Sequence, residues 1–251
     1  MTTHPSAILT AALRRCCIQP GESRWHDDFR IWLRQPFKVD GYACGSTGEV
    51  MLAVPAEGCD CLTAPPPALA SGASDVLSAG KPVLAPTTVL AGALRAWISD
   101  GYVEPAAWAP CASCKGTGAP QGDGDWCSDC GGEGGTGGWG SLVYRGGRIL
   151  GEIFNRNLLC RALLPLLTDD AAPLALGYVE PAAPVCVNPE AIGNPALTPV
   201  VQMPRSPWDL RALYVDGPGW RAVVMPMNPS AFSPEDLRAM PAFPAPTTEA
   251  P

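Results

Sequence analysis

Cys111-Ala-Ser-Cys114-Lys-Gly116-Thr-Gly118 and, eight residues later, Cys127-Ser-Asp-Cys130-Gly-Gly132-Glu-Gly134 decide how this chain is read. Both stretches follow C-x-x-C-x-G-x-G, with 12 residues between Cys114 and Cys127. A two-residue spacer lets both thiolates of a pair reach one tetrahedral ion from a tight turn, and two pairs complete a four-cysteine site. The glycines allow positive φ behind each pair, where amides turn back toward sulfur. Free or disulfide-bonded cysteines are the alternative, and they give no reason for glycines at identical offsets. A catalytic zinc keeps an open position, usually beside histidine. The only histidines, His4 and His26, are distant in sequence. One structural Zn2+ on Cys111, Cys114, Cys127 and Cys130 is expected, and its removal should loosen the loop while the rest stays folded.

The repeat resembles the zinc-binding repeats of J-type chaperones, which usually have four repeats and two ions. This chain has two and lacks a histidine-proline-aspartate signature, so the resemblance covers the knuckles and not the chaperone activity.

Working outward, the 251 residues allow one elaborated domain or two small ones. With 29 Pro and 27 Gly, short elements and many turns are expected. No run approaches the ~18–20 apolar residues of a membrane span, so no membrane partner is expected. Met1-Thr-Thr-His-Pro-Ser has neither the basic nor the apolar region of a signal peptide. Eleven cysteines, an odd number, around a zinc motif suit a reducing cytoplasm. A net charge of −7 argues against indiscriminate coating of nucleic acid, while leaving room for one basic face.

Along the chain, Pro5–Cys17 predicts a helix with an apolar stripe of Ile8, Leu9, Ala12, Leu13 and Cys16. Phe29–Leu33, Phe37–Val39 and Val50–Val54 read as short strands, with a turn at Cys44–Gly48. Cys59-Asp-Cys61 reads as loop cysteines, since a single spacer rarely closes a good chelate. Residues 63–86 read as an excursion outside the core. A second helix is expected from a Thr87 or Thr88 cap through Ile98. A hairpin is expected around Gly146-Gly147, and a third helix from Phe154 to Leu164. Strands follow at Leu174–Val179, Val185–Val187, Leu210–Val215 and Trp220–Met227, the last two joined by Asp216-Gly-Pro-Gly219. Gly101–Ala107 recurs identically at Gly177–Ala183, a hint of a duplicated unit.

Phe154-Asn155 opening a helix with Leu158-Leu159 and Ala162-Leu163 resembles the second helix of a bacterial sliding-clamp domain. Leu213-Tyr-Val-Asp-Gly-Pro-Gly-Trp-Arg-Ala-Val-Val-Met225-Pro226-Met227 resembles the closing hairpin of the polymerase III β clamp, which ends in valine, methionine, proline, methionine. The resemblance implies an α+β fold: clamp-like antiparallel sheets with short helices on one face, interrupted by a four-cysteine zinc-binding insertion. It gives a clamp-like domain of residues 5–62 and 141–228, an insertion at 63–140 and a loose tail at 229–251. A β clamp has three domains per chain and no zinc knuckle, so ring formation here requires a homo-oligomer. Small clamp-like chains with such knuckles resemble phage-encoded ones.

The three expected helices carry Arg14, Arg15, Arg95, Arg156 and Arg161 and no acid, in a chain with 24 Asp and Glu against 17 Lys and Arg. Such an arrangement suits a ring that faces double-stranded DNA without reading it. It equally suits short apolar helices that keep arginine on their solvent side. In clamps, peptides of polymerases and other replication proteins enter an apolar pocket beside the terminal strand. By resemblance that role falls to Val224, Met225, Pro226 and Met227.

The expected function is therefore a non-enzymatic DNA sliding-clamp-like replication accessory protein. The alternative is a zinc-knuckle adaptor for protein partners, drawing on Trp108, Trp126 and Trp139 as exposed rings near the knuckles. No G-x-S-x-G or P-loop occurs, and Asp27-Asp28, Asp169-Asp170 and His26 read as surface turns, so an enzyme is not expected.

Overall fold

The hairpin that closes the chain lies at the middle of its sheet. In the computed structural model the described residues are 5–20, 22, 28–57, 59, 62–78, 87–119, 127–132, 134–139, 145–179, 185–187, 200–202 and 211–244. Strands β1 (Phe37–Val39), β2 (Tyr42–Ser46) and β3 (Val50–Pro55) form a meander after helix α1 (Pro5–Arg15). Helix α2 (Pro67–Ser78) precedes strand β4 (Thr87–Leu90) and helix α3 (Ala91–Ser99). Short strands β5 (Ala109–Pro110) and β6 (Gly135–Thr136) flank the knuckles. Then come β7 (Gly146–Ile149), β8 (Glu152–Asn155), helix α4 (Arg156–Leu163) and β9 (Pro173–Val179). Next are β10 (Val185–Val187), β11 (Val200–Gln202), β12 (Ala212–Gly217), β13 (Trp220–Val224) and helix α5 (Pro234–Ala239).

A seven-stranded sheet runs β1-β2-β3-β13-β12-β9-β4, antiparallel throughout, and three two-stranded ribbons stand apart from it. Pairing of β13 with β3, Arg221 opposite Ala53 through Val224 opposite Val50, joins the two ends of the chain. Ala212 to Val215 are buried without alternation, because this central strand is covered on both faces.

Strand periodicity separates the two faces. Val50, Leu52 and Val54 of β3 join the main core with Leu213, Val215, Ala222 and Val224. Against that face pack Leu13 and Cys16 from the α1 region, Leu94 and Ile98 of α3, and Leu159 and Leu163 of α4. Met51 and Ala53 point the other way, into a second core with Phe37, Cys44 and Ala73 and Leu77 of α2. Helix α1 lies so close to β2 that a Cβ on Gly45 would overlap the Leu13 carbonyl.

Several expectations change. The mixed fold with a large antiparallel sheet stands, but the helices are not all on one face: α2 covers the opposite side. Residues 63–140 are not a separable insertion. Strand β4 pairs with β9 at the sheet edge, and Val89, Ala91, Leu94 and Ile98 belong to the main core. Thr87 and Thr88 lie in that strand, and the helix after it begins at Ala91 with Leu90 at its cap position. Asp28–Arg34 is a 3-10 turn rather than a strand, and Cys44–Ser46, read as the start of a turn at Cys44–Gly48, belong to the strand Tyr42–Ser46. The hairpin turns at Leu150-Gly151, both at positive φ (51° and 96°), not at Gly146-Gly147. Helix α4 starts at Arg156, with Asn155 accepting from the Asn157 amide as its cap. The repeated heptapeptide takes two conformations: Gly101–Ala107 is irregular and Gly177–Val179 is sheet, with 180–183 outside the described residues.

The tail from 229 is structured through 244. Ser233 and Asp236 close a capping box on α5, and Phe243 is buried edge-on against Trp97, ring centroids 5.6 Å apart. Among the described residues no helix is long and apolar enough to cross a membrane.

Candidate metal centre and apolar cleft

The two knuckles fold as near copies. Lys115, Gly116 and Gly118 have φ of 52°, 90° and 72°, and the matching Gly131, Gly132 and Gly134 have 61°, 90° and 77°. The copies cross-bond: the Cys111 amide donates to the Gly134 carbonyl at 2.7 Å, and the Cys127 amide to the Gly118 carbonyl at 2.9 Å. Ser113 and Asp129, at equivalent positions, hydrogen-bond across the pair. A Cβ on Gly118 would overlap the Gly132 carbonyl, so glycine is required there by both space and φ.

Four sulfurs converge as a result. The ligand atoms of Cys111, Cys114, Cys127 and Cys130 lie within 4.8 Å of one another. Cys111 and Cys127 sulfurs are 3.9 Å apart, and those of Cys114 and Cys130 3.7 Å. Tetrahedral zinc with Zn–S of ~2.3 Å needs S···S of ~3.8 Å. The donor set therefore fits a structural zinc with no vacant position. Amides of Gly118 and Gly134 donate to the Cys114 and Cys130 sulfurs at 3.3 and 3.2 Å. Desolvation alone would raise the Cys114 thiol; the Gly118 and Gly116 amides and the neighbouring thiols outweigh it and bring the pKa down to about 6. Cys16, Cys17, Cys44 and Cys160, by contrast, are pushed up to about 12, chiefly by burial, and are inert core thiols. Cys59 is half-buried, and Cys61 lies outside the described residues.

Four of the five arginines expected to face DNA take other partners. Arg161 is 1% exposed, ion-paired with Glu22 at 2.7 Å and hydrogen-bonded to the Arg15 and Cys17 carbonyls at the end of α1. Arg156 is 4% exposed, donates to the Trp97 and Asp100 carbonyls, and lies 5.1 Å over the Trp97 ring. Arg15 pairs with Glu104 at 2.8 Å and Arg95 with Asp170 at 2.6 Å. Arg14 is exposed. A guanidinium sealed in the fold does not neutralise phosphate, which corrects the expectation for Arg156 and Arg161. The helix pattern gave no sign of this, because the partnering carboxylates come from connecting segments. Trp108 and Trp139 are half-buried rather than exposed, and Trp126 lies outside the described residues.

The closing segment is more open. Val224 is fully buried and belongs to the core, whereas Met225 is 49% exposed. The Met225 amide donates to the Glu49 carbonyl at 2.7 Å, and the Met227 amide to the Ile153 carbonyl at 2.8 Å, so this segment ties the sheet to the β7–β8 ribbon. Between them opens a cleft of about 410 Å3, its apolar wall made by Leu158, Met225, Pro226, Met227 and Phe232. Glu49, Asn155 and Asn228 line it as polar groups. A second hollow of about 210 Å3 lies on the far side of Met225 and Glu49, under α2.

Compared with protein-family models, curated proteins and solved structures, the chain matches none.

Proposed function

We propose that this chain is a non-enzymatic docking protein of the sliding-clamp kind that takes an apolar segment of a partner beside Met225, Pro226 and Met227. The cleft carries this reading. A half-exposed methionine next to a pre-formed apolar hollow is adaptable contact surface, since the thioether side chain repacks around different guests. The amides of Met225 and Met227 are already bonded, so recognition falls to side-chain packing rather than strand addition. The closed set of four thiolates supplies stability and no reaction centre. By the clamp resemblance, the partners are DNA polymerase or other replication proteins.

Selection of a displayed hexapeptide library on the protein tests this. Enriched apolar peptides that lose at least tenfold in affinity on Met225→Asp support it. Peptides indifferent to Met225 and Met227 remove it.

A second reading, a ring around double-stranded DNA, draws on one observation: the acid-free helices α1, α3 and α4 pack on the same sheet face. Because Arg156 and Arg161 are sealed in the fold, such a ring has to present other cations. A trimer or hexamer in light scattering that is retained on circular DNA supports it; a monomer that ignores DNA removes it.

A further inference from the structure

We infer that the two stems of the zinc loop form a clasp through which metal occupancy sets the packing of α1 on α4. The chain entering the knuckles carries Tyr102 and Glu104, and the chain leaving them carries Trp139. The Tyr102 and Trp139 rings stack at 6.5 Å with planes 22° apart. Glu104 receives both terminal nitrogens of Arg15, at 2.8 and 3.3 Å, and the Tyr102 hydroxyl at 3.1 Å. The Trp139 ring faces two guanidiniums at once, with its centroid 5.0 Å from the Arg15 carbon and 4.9 Å from that of Arg161.

Those two arginines crosslink the ends of the helices, beside the core that Leu13 and Cys16 share with Leu159 and Leu163. The Arg161 Nε donates to the Arg15 carbonyl, and the Arg15 Nε to the Arg161 carbonyl at 3.4 Å. Glu22 completes the shell of Arg161, receiving its terminal nitrogens at 2.7 and 2.9 Å. The stems are held together by β5–β6 and by the Gly138 amide donating to the Ala106 carbonyl at 2.8 Å. Without a cation, the four facing sulfurs either repel as thiolates or take up protons, and only the hydrogen bonds between the knuckles and between the stems oppose their separation. Separation of the stems carries Trp139 off both guanidiniums and Glu104 off Arg15, while Arg161 keeps Glu22 and the Arg15 and Cys17 carbonyls. The coupling is reciprocal: whatever zinc contributes to the clasp, the clasp contributes to zinc binding.

Hydrogen exchange on the full chain, with zinc and after chelation under reducing conditions, tests the inference. Chelation should speed exchange at least tenfold in residues 14–17 and 156–163 and leave β3, β12 and β13 unchanged. Trp139→Ala, with all four cysteines intact, should weaken zinc about tenfold in competition with a chromophoric chelator, the scale of one to two cation–π contacts. Trp139→Phe, which keeps a ring, should recover most of that loss. Unchanged exchange in α4 after chelation overturns the inference. So does equal loss of protection in every strand, or wild-type zinc affinity in Trp139→Ala. Should Trp139→Ala not fold, the exchange measurement on the unaltered chain still decides.

Discussion

The sheet and the knuckles are held by different physics. At the centre of the sheet, Leu52, Leu213, Val215 and Ala222 are sealed between helices, and their burial is what the fold gains. Between Cys111 and Gly134, the buried described residues are Cys114, Gly118, Cys127 and Gly134, with no aliphatic side chain among them. Left-handed backbone at Lys115, Gly116 and Gly118, and again at Gly131, Gly132 and Gly134, aims amides at sulfur, and an ion held by the four sulfurs would do there what a core does elsewhere. In metal-held segments generally, stability depends on the ligands being deprotonated and occupied.

The largest expected effect breaks one region and spares the other. Apparent binding free energies of structural zinc reach ~10–16 kcal/mol in finger peptides. Cys130→Ser should therefore abolish metal binding and the protection of the β5 and β6 amides, while the urea transition of the sheet persists. Leu213→Ala is the converse test. It should cost ~2–5 kcal/mol in the sheet transition with zinc affinity unchanged. A shared loss in both variants would merge the two regions into one cooperative unit.

Within the knuckle, Gly118→Ala meets both unfavourable φ and the Gly132 carbonyl, whereas Gly131→Ala meets unfavourable φ alone. The second should cost ~1–2 kcal/mol, read as zinc affinity, and the first more. Acid sharpens the contrast again. Burial raises the Cys127 thiol to about 11, whereas the Cys114 thiol of the same cluster falls from its ordinary 9.0 to about 6. Its contribution is therefore present above the ordinary value and lost as pH falls through the lowered one. Bound metal moves that midpoint lower still, so zinc should be retained at pH 7 and released in acid, followed with a zinc indicator. The smallest effect is at the cleft, where Met225→Ala should change stability by less than ~1 kcal/mol. Peptide binding should fall all the same.

How much was legible follows from where each constraint sits. The convergence of Cys111, Cys114, Cys127 and Cys130 was readable, because ligand spacing and glycine offsets are local. Strands Phe37–Val39, Val50–Pro55 and the closing hairpin were readable from apolar runs and turn residues. The strand at Thr87–Leu90 was not, since four residues preceding a helix look like its cap until β9 supplies the pairing. Tyr42–Ser46 hid behind small residues, and Gly45 is small because α1 crosses it, a contact no local pattern records. The arginines misled for the same reason: Glu22, Glu104, Asp100 and Asp170 reach them from other segments.

The most direct test of metal-held knuckles inside an apolar fold is native mass spectrometry of the intact chain, repeated for Cys127→Ser. The account predicts one zinc per wild-type chain and none in the variant. A wild-type chain without metal, or a variant retaining a full equivalent, would contradict it.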